Sequence, residues 1–354
     1  MNAVFALLIV VGLAFVAMVS SQHAGSHAFF GIALPYVAVV VFIGGMIYRI
    51  VDWARSPVPF RIPTTCGQQK SLDWIKPSRF DNPTDTFGVV VRMALEVLFF
   101  RSLFRNTSVV VGEGTVKPAP REEGDESIAP APDPMPGPVV AYSATKWLWL
   151  AGLAFHYAFL FILLRHLRFF TEPVPMFVDL IEGLDGFMEI GLPTLFLTGA
   201  VLLLAVTYLL LRRLFLPEVR YISLLQDYFP LFLILGIGIS GITLRHFVGA
   251  DMAAVKELTL SLARFQPVLP EESLHFMFYT HVFLVCVLFI YFPFSKLVHL
   301  GGVFFSPTRN LANNSRIVRH VNPWAKPAKL HSYKEYEAEF GEKMKAAGIP
   351  LDKD

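Results

Sequence analysis

Six stretches of this chain are apolar for long enough to cross a lipid bilayer, and that limits the fold more than any other feature of the sequence. No water reaches the hydrocarbon core, so each backbone N–H and C=O must find its partner within its own segment. An isolated run of about 20 apolar residues can do that only as a helix. The runs are 3–19, Phe29–Tyr48, 144–170, Leu192–Leu211, Phe229–Leu244 and 273–302. Composition agrees: 54% of the 354 residues are hydrophobic and 16% charged, where a soluble domain has about a quarter charged. The sequence therefore predicts an all-α membrane protein with six transmembrane helices. Run 3–19 resembles a secretory signal in length, but no Lys or Arg precedes it and no clean A-x-A follows. It reads as an uncleaved anchor.

Between the runs, the polar segments divide the chain. Residues 1–50 hold two N-terminal spans, and 51–143 form a long polar loop. Residues 144–302 form a four-helix membrane region, and 303–354 a polar tail. Within the loop, FGVVVRMALEVLFFRSLFR sets Arg92 and Glu96 four apart and carries Arg101 and Arg105. That is too charged to span, and predicts an amphipathic helix at the membrane surface. Residues 106–138, ending in IAPAPDPMPGP, read as an extended or disordered linker. Gly236, Gly238, Ser240 and Gly241 permit close packing of the fifth span. Pro293 predicts a kink in the sixth, and SYKEYEAEFGEKMKAAG an exposed helix in the tail. Lys and Arg gather after span two, at Arg212/Arg213/Arg220 and in the tail. The 169–189 loop is acidic instead, with Glu172, Asp179, Glu182, Asp185 and Glu189. The positive-inside bias then places both termini in the cytoplasm, with span three running outward and span six inward.

Two of the spans carry paired histidines: His156 and His166 on the third, His281 and His299 on the sixth. An unpaired imidazole in lipid is costly, so each needs a polar partner. Because these spans are antiparallel, the outer His166 lies level with His281 and the inner His156 with His299. Each pair can supply both axial nitrogens of a haem iron, which makes bis-histidine haem the natural candidate. On straight helices the members of each span lie about 15 Å and 27 Å apart, a mismatch that tilt or the Pro293 kink must absorb. Arg165, Arg168 and Arg245 cluster at the outer boundary, placed for haem propionates or a quinone, or simply snorkelling to the interface.

Other features exclude chemistry or stay ordinary. Cys66 and Cys286 form no CxxC or Cys/His cluster, so the chain encodes no iron–sulfur or structural zinc site. A formal net charge of +2, spread over loops, gives no nucleic-acid surface. His23 and His27 are four apart, a spacing that could suit a metal, and His246 and His275 lie near the outer face, where they could touch a haem propionate or a quinone; ordinary polar side chains in exposed turns are the commoner reading of all four. His320 and His331 sit in the tail.

The His-x9-His and His-x17-His spacings resemble those of the nitrate reductase gamma subunit family, over roughly residues 29–302. That likeness implies a five-helix dihaem core with span one as an addition. The loop VPFRIPTTCGQQKSLDWIKPSRF and the tail NLANNSRIVRHVNPW are similar to the narrower DsrM family, the haem b membrane subunits of the DsrMKJOP complex. The resemblance implies two b haems held by His156, His166, His281 and His299, and contact with menaquinone. It also implies the other DsrMKJOP subunits, among them a cytoplasmic iron–sulfur partner of the DsrK type, in dissimilatory sulfur metabolism. Two rival functions are a transporter with a histidine relay and a passive anchor for a soluble redox enzyme. Against transport, the chain shows no internal repeat and no Gly/Pro-broken helix pair. The colour of the purified protein separates a cytochrome from a transporter, and histidine substitutions that spare electron flow would mark an anchor.

Overall fold

The structure, a computed structural model, describes residues 1–58, 67–116, 135–186, 196–314 and 330–352. Six helices in it are long and apolar enough to cross a membrane. They are built on α1 (Asn2–Ser20), α2 (Leu34–Ala54, entered through a π-turn at Phe29–Ala33), α5 (Lys146–His166) and α7 (Leu197–Phe215). The last two are α9 (Leu225–Thr243, extended by a π-turn at Leu244–Val248) and α11 (Phe276–Tyr291). The protein is a multi-pass membrane protein of the expected all-α class. The fourth span begins at Leu197; the expected start at Leu192 lies outside the described residues, as do Cys66 and His320.

Helix α9 is central. The sites of its small residues touch three other spans. A methyl group at Gly236 would lie 3.5 Å from Val10 of α1, one at Gly238 only 2.8 Å from Leu203 of α7, and one at Gly241 3.1 Å from the His281 ring of α11. Side chains of α1, α5, α7, α9 and α11 meet in a core that includes Val10, Ala158, Val206, Leu233 and Leu284. Outside, α1 exposes Val4, Phe5, Leu8, Val11 and Phe15, as a lipid-facing helix should.

The bundle has two different ends. At one, the acidic loop folds into α6 (Met176–Asp185) and the 249–273 loop into α10 (Met252–Ala263). Thr259 of α10 donates to Phe169 O at 2.7 Å, and Tyr36 of α2 donates to Leu262 O at 3.0 Å, so α10 ties spans two and three together.

At the other end lie α3 (Thr86–Phe99), α4 (Arg101–Phe104) and an antiparallel pair of strands, β1 (Thr107–Val116) and β2 (Met135–Ala144). The register runs from Thr107 opposite Ala144 to Val116 opposite Met135. Pairing replaces the extended or disordered linker expected over 106–138 at residues 107–116 and 135–138; residues 117–134 lie outside the described residues. The β-branched Val109 and Val111 face Tyr142 and Val140 across the ladder, which outweighs the local polarity. The short α8 (Pro217–Tyr221) joins α7 to α9 at this end, and α13 (Tyr333–Ala346) forms the expected tail helix, capped by Ser332 and Glu335.

The single helix expected over 87–105 is divided. Phe100 adopts a left-handed backbone (φ 50°, ψ 47°) and separates α3 from α4. A clamp holds this elbow. Asp81 accepts from Arg101 Nε at 3.0 Å, from Ser78 Oγ at 2.9 Å and from Arg105. Glu96 reaches past the break to accept from Ser102 N at 3.0 Å and pairs with Arg309 at 3.3 Å. Asn313 joins the same unit, donating to Pro83 O at 2.6 Å and to Asn82 Oδ1 at 2.5 Å. Burial raises the Asp81 carboxyl pKa, but the hydrogen bonds from Arg101, Arg105 and Ser78 outweigh it and hold the group below the usual carboxylate range. A depressed folded pKa means that the clamp's ionic contribution is fully present above about pH 4 and is lost as pH falls through the folded value. Hydrogen-exchange protection of the α4 amides should therefore decline on acidification below that range in wild type. Asp81→Asn should lower it already at neutral pH and leave little acid response; equal protection in the two proteins would refute the clamp.

The sixth span departs most from expectation. Instead of one kinked helix over 273–302, α11 stops at Tyr291 and the chain makes two 3-10 turns, Phe292–Phe294 and Lys296–Val298. Ser295 is extended between them (φ −119°, ψ 177°), and a four-residue helix, α12 (His299–Gly302), follows. Pro293 lacks an N–H and crowds the carbonyl four residues back, which ends the helix. Ser295 then starts a new turn by accepting from Leu297 N at 3.2 Å. Helix α2 receives the break: Arg49 Nε donates to Pro293 O at 3.1 Å, and a methyl group at Gly45 would lie 2.6 Å from Pro293 Cβ. Only glycine leaves room there.

Candidate functional site

The break brings His299 to His156. Their ring centres are 5.9 Å apart and their planes 79° from one another. At the other level His166 and His281 lie within interaction range of one another. Helix α5 packs on α7, and α11 on α2, α9 and α1, so the two histidine-bearing helices face each other across side chains without packing closely. The rings of His156, His166 and His299 keep accessible surface, although His156 and His166 lie within a membrane span.

Each imidazole has one nitrogen committed. His156 Nδ1 donates to Gly152 O at 2.7 Å, His166 Nδ1 to Ile162 O at 2.7 Å and His299 Nδ1 to Lys296 O at 2.8 Å. A carbonyl can only accept, so in these three the proton sits on Nδ1. His281 Nδ1 lies 2.9 Å from Ser240 Oγ, whose own hydrogen goes to Ile237 O at 3.0 Å. Ser240 is thus left to accept from His281 as well. All four rings therefore present the Nε2 lone pair. This is the tautomer a metal-ligating histidine needs, with the second nitrogen fixing ring orientation. Two metal–nitrogen bonds of about 2 Å on a straight axis put opposed nitrogens about 4 Å apart and ring centres further out, near the separation of His156 and His299. The donor set fits a bis-imidazole haem.

Further anchors hold these rings in place. Lys296, whose carbonyl orients His299, is bound through its ammonium to Asp227 at 2.6 Å. Asp227 opens α9 by accepting from Leu224 N at 3.0 Å. Gly241 lets the His281 ring lie against α9. Sequence reading had assigned Ser240 and Gly241 to packing alone and had passed over Asp227 and Lys296. Their position opposite the histidines depends on which helices adjoin.

The three arginines do cluster, but not as free cations. Arg165 Nε lies 3.0 Å from Asp185, both nearly buried, and Asp185 also accepts from Thr198 N at 2.8 Å and Oγ at 2.6 Å. The guanidinium groups of Arg165 and Arg245 lie 3.7 Å and 4.2 Å from the centre of the Phe196 ring. Arg168 pairs with Glu182. Arg168, Glu182, Arg245, Met252 and Lys256 line a cavity of about 330 Å³, bounded by Phe169, whose ring packs 5.9 Å from that of His166.

Two other histidines have structural duties. His27 stacks on Tyr279 at 4.4 Å and bonds Ser21 O at 3.0 Å, and His275 caps α11 by accepting from Met277 N at 3.2 Å. His246 lies in the π-turn after α9, and His23 precedes the turn at Ala24–Ser26. Among the described residues no three of His, Cys, Asp or Glu converge on one point, so the candidate site consists of two pairs.

Residues 141–321 match the family model described as nitrate reductase gamma subunit. Over 301 residues, 83% of each chain, the protein is 44% identical to a protein of Archaeoglobus fulgidus named Hdr-like menaquinol oxidoreductase cytochrome b-like subunit. A protein of the same name from Archaeoglobus profundus is 42% identical over 298 residues, covering 82% of this chain and 81% of its own. The spans, the paired histidines and this extent of similarity agree: the chain belongs to the nitrate reductase gamma subunit family.

Proposed function

We propose that the chain is the dihaem cytochrome b subunit of a quinone-linked oxidoreductase complex in the cytoplasmic membrane. It exchanges electrons between menaquinone or menaquinol and a cytoplasmic iron–sulfur subunit. One observation carries the reading: all four imidazoles have Nδ1 bonded and Nε2 available, in two pairs at two levels. A b haem held by two imidazoles would supply one-electron transfer. His156 and His299 would hold one such group, and His166 and His281 the other. Arg168 and Arg245, in the cavity beside His166, are placed for its propionates or a quinone headgroup. Arg165 supports them from behind through Asp185 and Phe196.

The end bearing α3, α4 and the strand pair is the cytoplasmic one, with both termini there. Arg49, Arg101, Arg105, Lys146, Arg212, Arg213 and Arg309 gather at that end, against the acidic loop at the other. Its elbow and tail form the surface for an iron–sulfur partner of the DsrK type within a DsrMKJOP-like assembly of sulfur metabolism. The loop and tail motifs of the DsrM family support that assignment. The names of the Archaeoglobus relatives support menaquinol as the quinone.

Purified protein should give two b haems per chain in a pyridine haemochrome assay, and a colourless preparation would overturn the reading. Ser240→Ala removes the partner of His281 Nδ1. Loss of such an orienting bond weakens metal retention by about 10–100-fold. Competition with apomyoglobin should show one haem leaving faster while the other stays; two equally retained haems would show that Ser240 does not orient the ligand.

A further inference from the structure

Phe100 sits where no local preference would put a phenylalanine. Its left-handed backbone is costly for a residue with a bulky side chain, and persists only where surrounding contacts impose it. Those contacts lead to His156. The last carbonyls of α3 have no partner within the helix. Two of them are satisfied from α5, the helix that carries His156: Trp149 Nε1 donates to Phe99 O at 2.8 Å and Tyr157 OH to Leu98 O at 2.9 Å. Lys146 of α5 donates to Phe104 O, and Leu103 lies over Gly152, the residue whose carbonyl orients His156. The elbow is thereby fastened to one face of α5, and its turn delivers the Phe100 ring edge-to-face onto His156, with centres 4.9 Å apart and planes at 87°. Phe155 flanks the same imidazole at 4.9 Å.

Resting on the haem reading above, we infer that Phe100 is a positioning residue of the His156/His299 site, and that the α3–α4 elbow is the cover that keeps water from the face of this imidazole on which Phe100 packs. The clamp of Asp81 with Arg101 and Arg105, and of Glu96 with Ser102 and Arg309, holds the cover shut. An apolar, water-excluding wall disfavours the more positively charged ferric form, so it raises the reduction potential of the group held there. Opening the wall lowers that potential and leaves the His166/His281 level untouched.

The test is a spectroscopic redox titration of the full-length protein, wild type against Phe100→Ala, Phe100→Asn and Phe100→Leu, with haem content measured in each. Asn tolerates the left-handed backbone, so Phe100→Asn keeps the elbow while placing a polar group on His156. The haem of this level is identified as the one lost in His299→Ala. Its midpoint should move negative in the Ala and Asn variants at unchanged haem content, and stay close to wild type in the Leu variant, while the other midpoint stays fixed. Unmoved midpoints in Phe100→Asn, or equal shifts of both haems, would overturn the inference, because a merely structural role moves neither potential selectively. Wild-type protein without haem would remove this inference together with the functional reading; wild-type dihaem protein with unmoved variants removes this inference alone.

Discussion

Replacing His299 with alanine is expected to take the haem content from two per chain to one, and His281→Ala to remove the other. The expectation is quantitative because each pair supplies only two donors. With His299 gone, His156 offers a single imidazole. The two nitrogens of one ring point apart, and its Nδ1 is already committed to Gly152 O, so this single imidazole supplies one donor only. The nearest ring besides His299 is aromatic carbon, from Phe100 and Phe155, which cannot ligate. The surviving haem should keep a low-spin bis-imidazole spectrum, since Ser240 and Gly241, which seat His281, lie on α9, away from α12. Two haems remaining in both variants would contradict the pairing, and so would loss of both haems from a variant that still folds.

A second large effect is expected from a residue that touches no histidine. In Gly45→Ala the added methyl would lie 2.6 Å from Pro293 Cβ, where something must shift. Overpacking of this kind costs about 1–3 kcal/mol. Pro293 is held from the same side by Arg49, so the strain falls on the turns that carry His299. Thermal stability should drop, and the haem lost in His299→Ala should be the one under-occupied. The neighbouring position provides the control: a methyl at Gly44 would meet nothing within 4 Å, so Gly44→Ala should be silent. Equal behaviour of the two variants would show that the break is not seated on Gly45.

The spans and their antiparallel order were legible because lipid leaves an apolar run few choices. Histidines also stand out in such runs, because an unpaired imidazole is costly in lipid. Straight-helix spacing placed the members of each span about 15 Å and 27 Å apart and left the His156/His299 level as the weak point. Pro293 pointed to the place where that would be resolved but not to the manner. The extended backbone of Ser295 and the separate turn bearing His299 depend on room made by Gly45, 248 positions before Pro293 in the chain. The strand pair was hidden because neither half is decisive alone and each needs the other across a long insertion. Phe100 was hidden for the opposite reason: its conformation contradicts its own preference and is set by Trp149, Tyr157 and Glu96.

Each histidine pair takes one member from the third span and one from the last. Neither can therefore close until nearly all of the membrane region has been synthesised. During biogenesis the first five spans must be inserted and held with His156 and His166 unmatched, and α9, with its contacts to α1 and α7, can pre-assemble the bundle in that interval. Haem capture becomes the closing step, and a chain truncated before His281 would insert, pack and hold nothing.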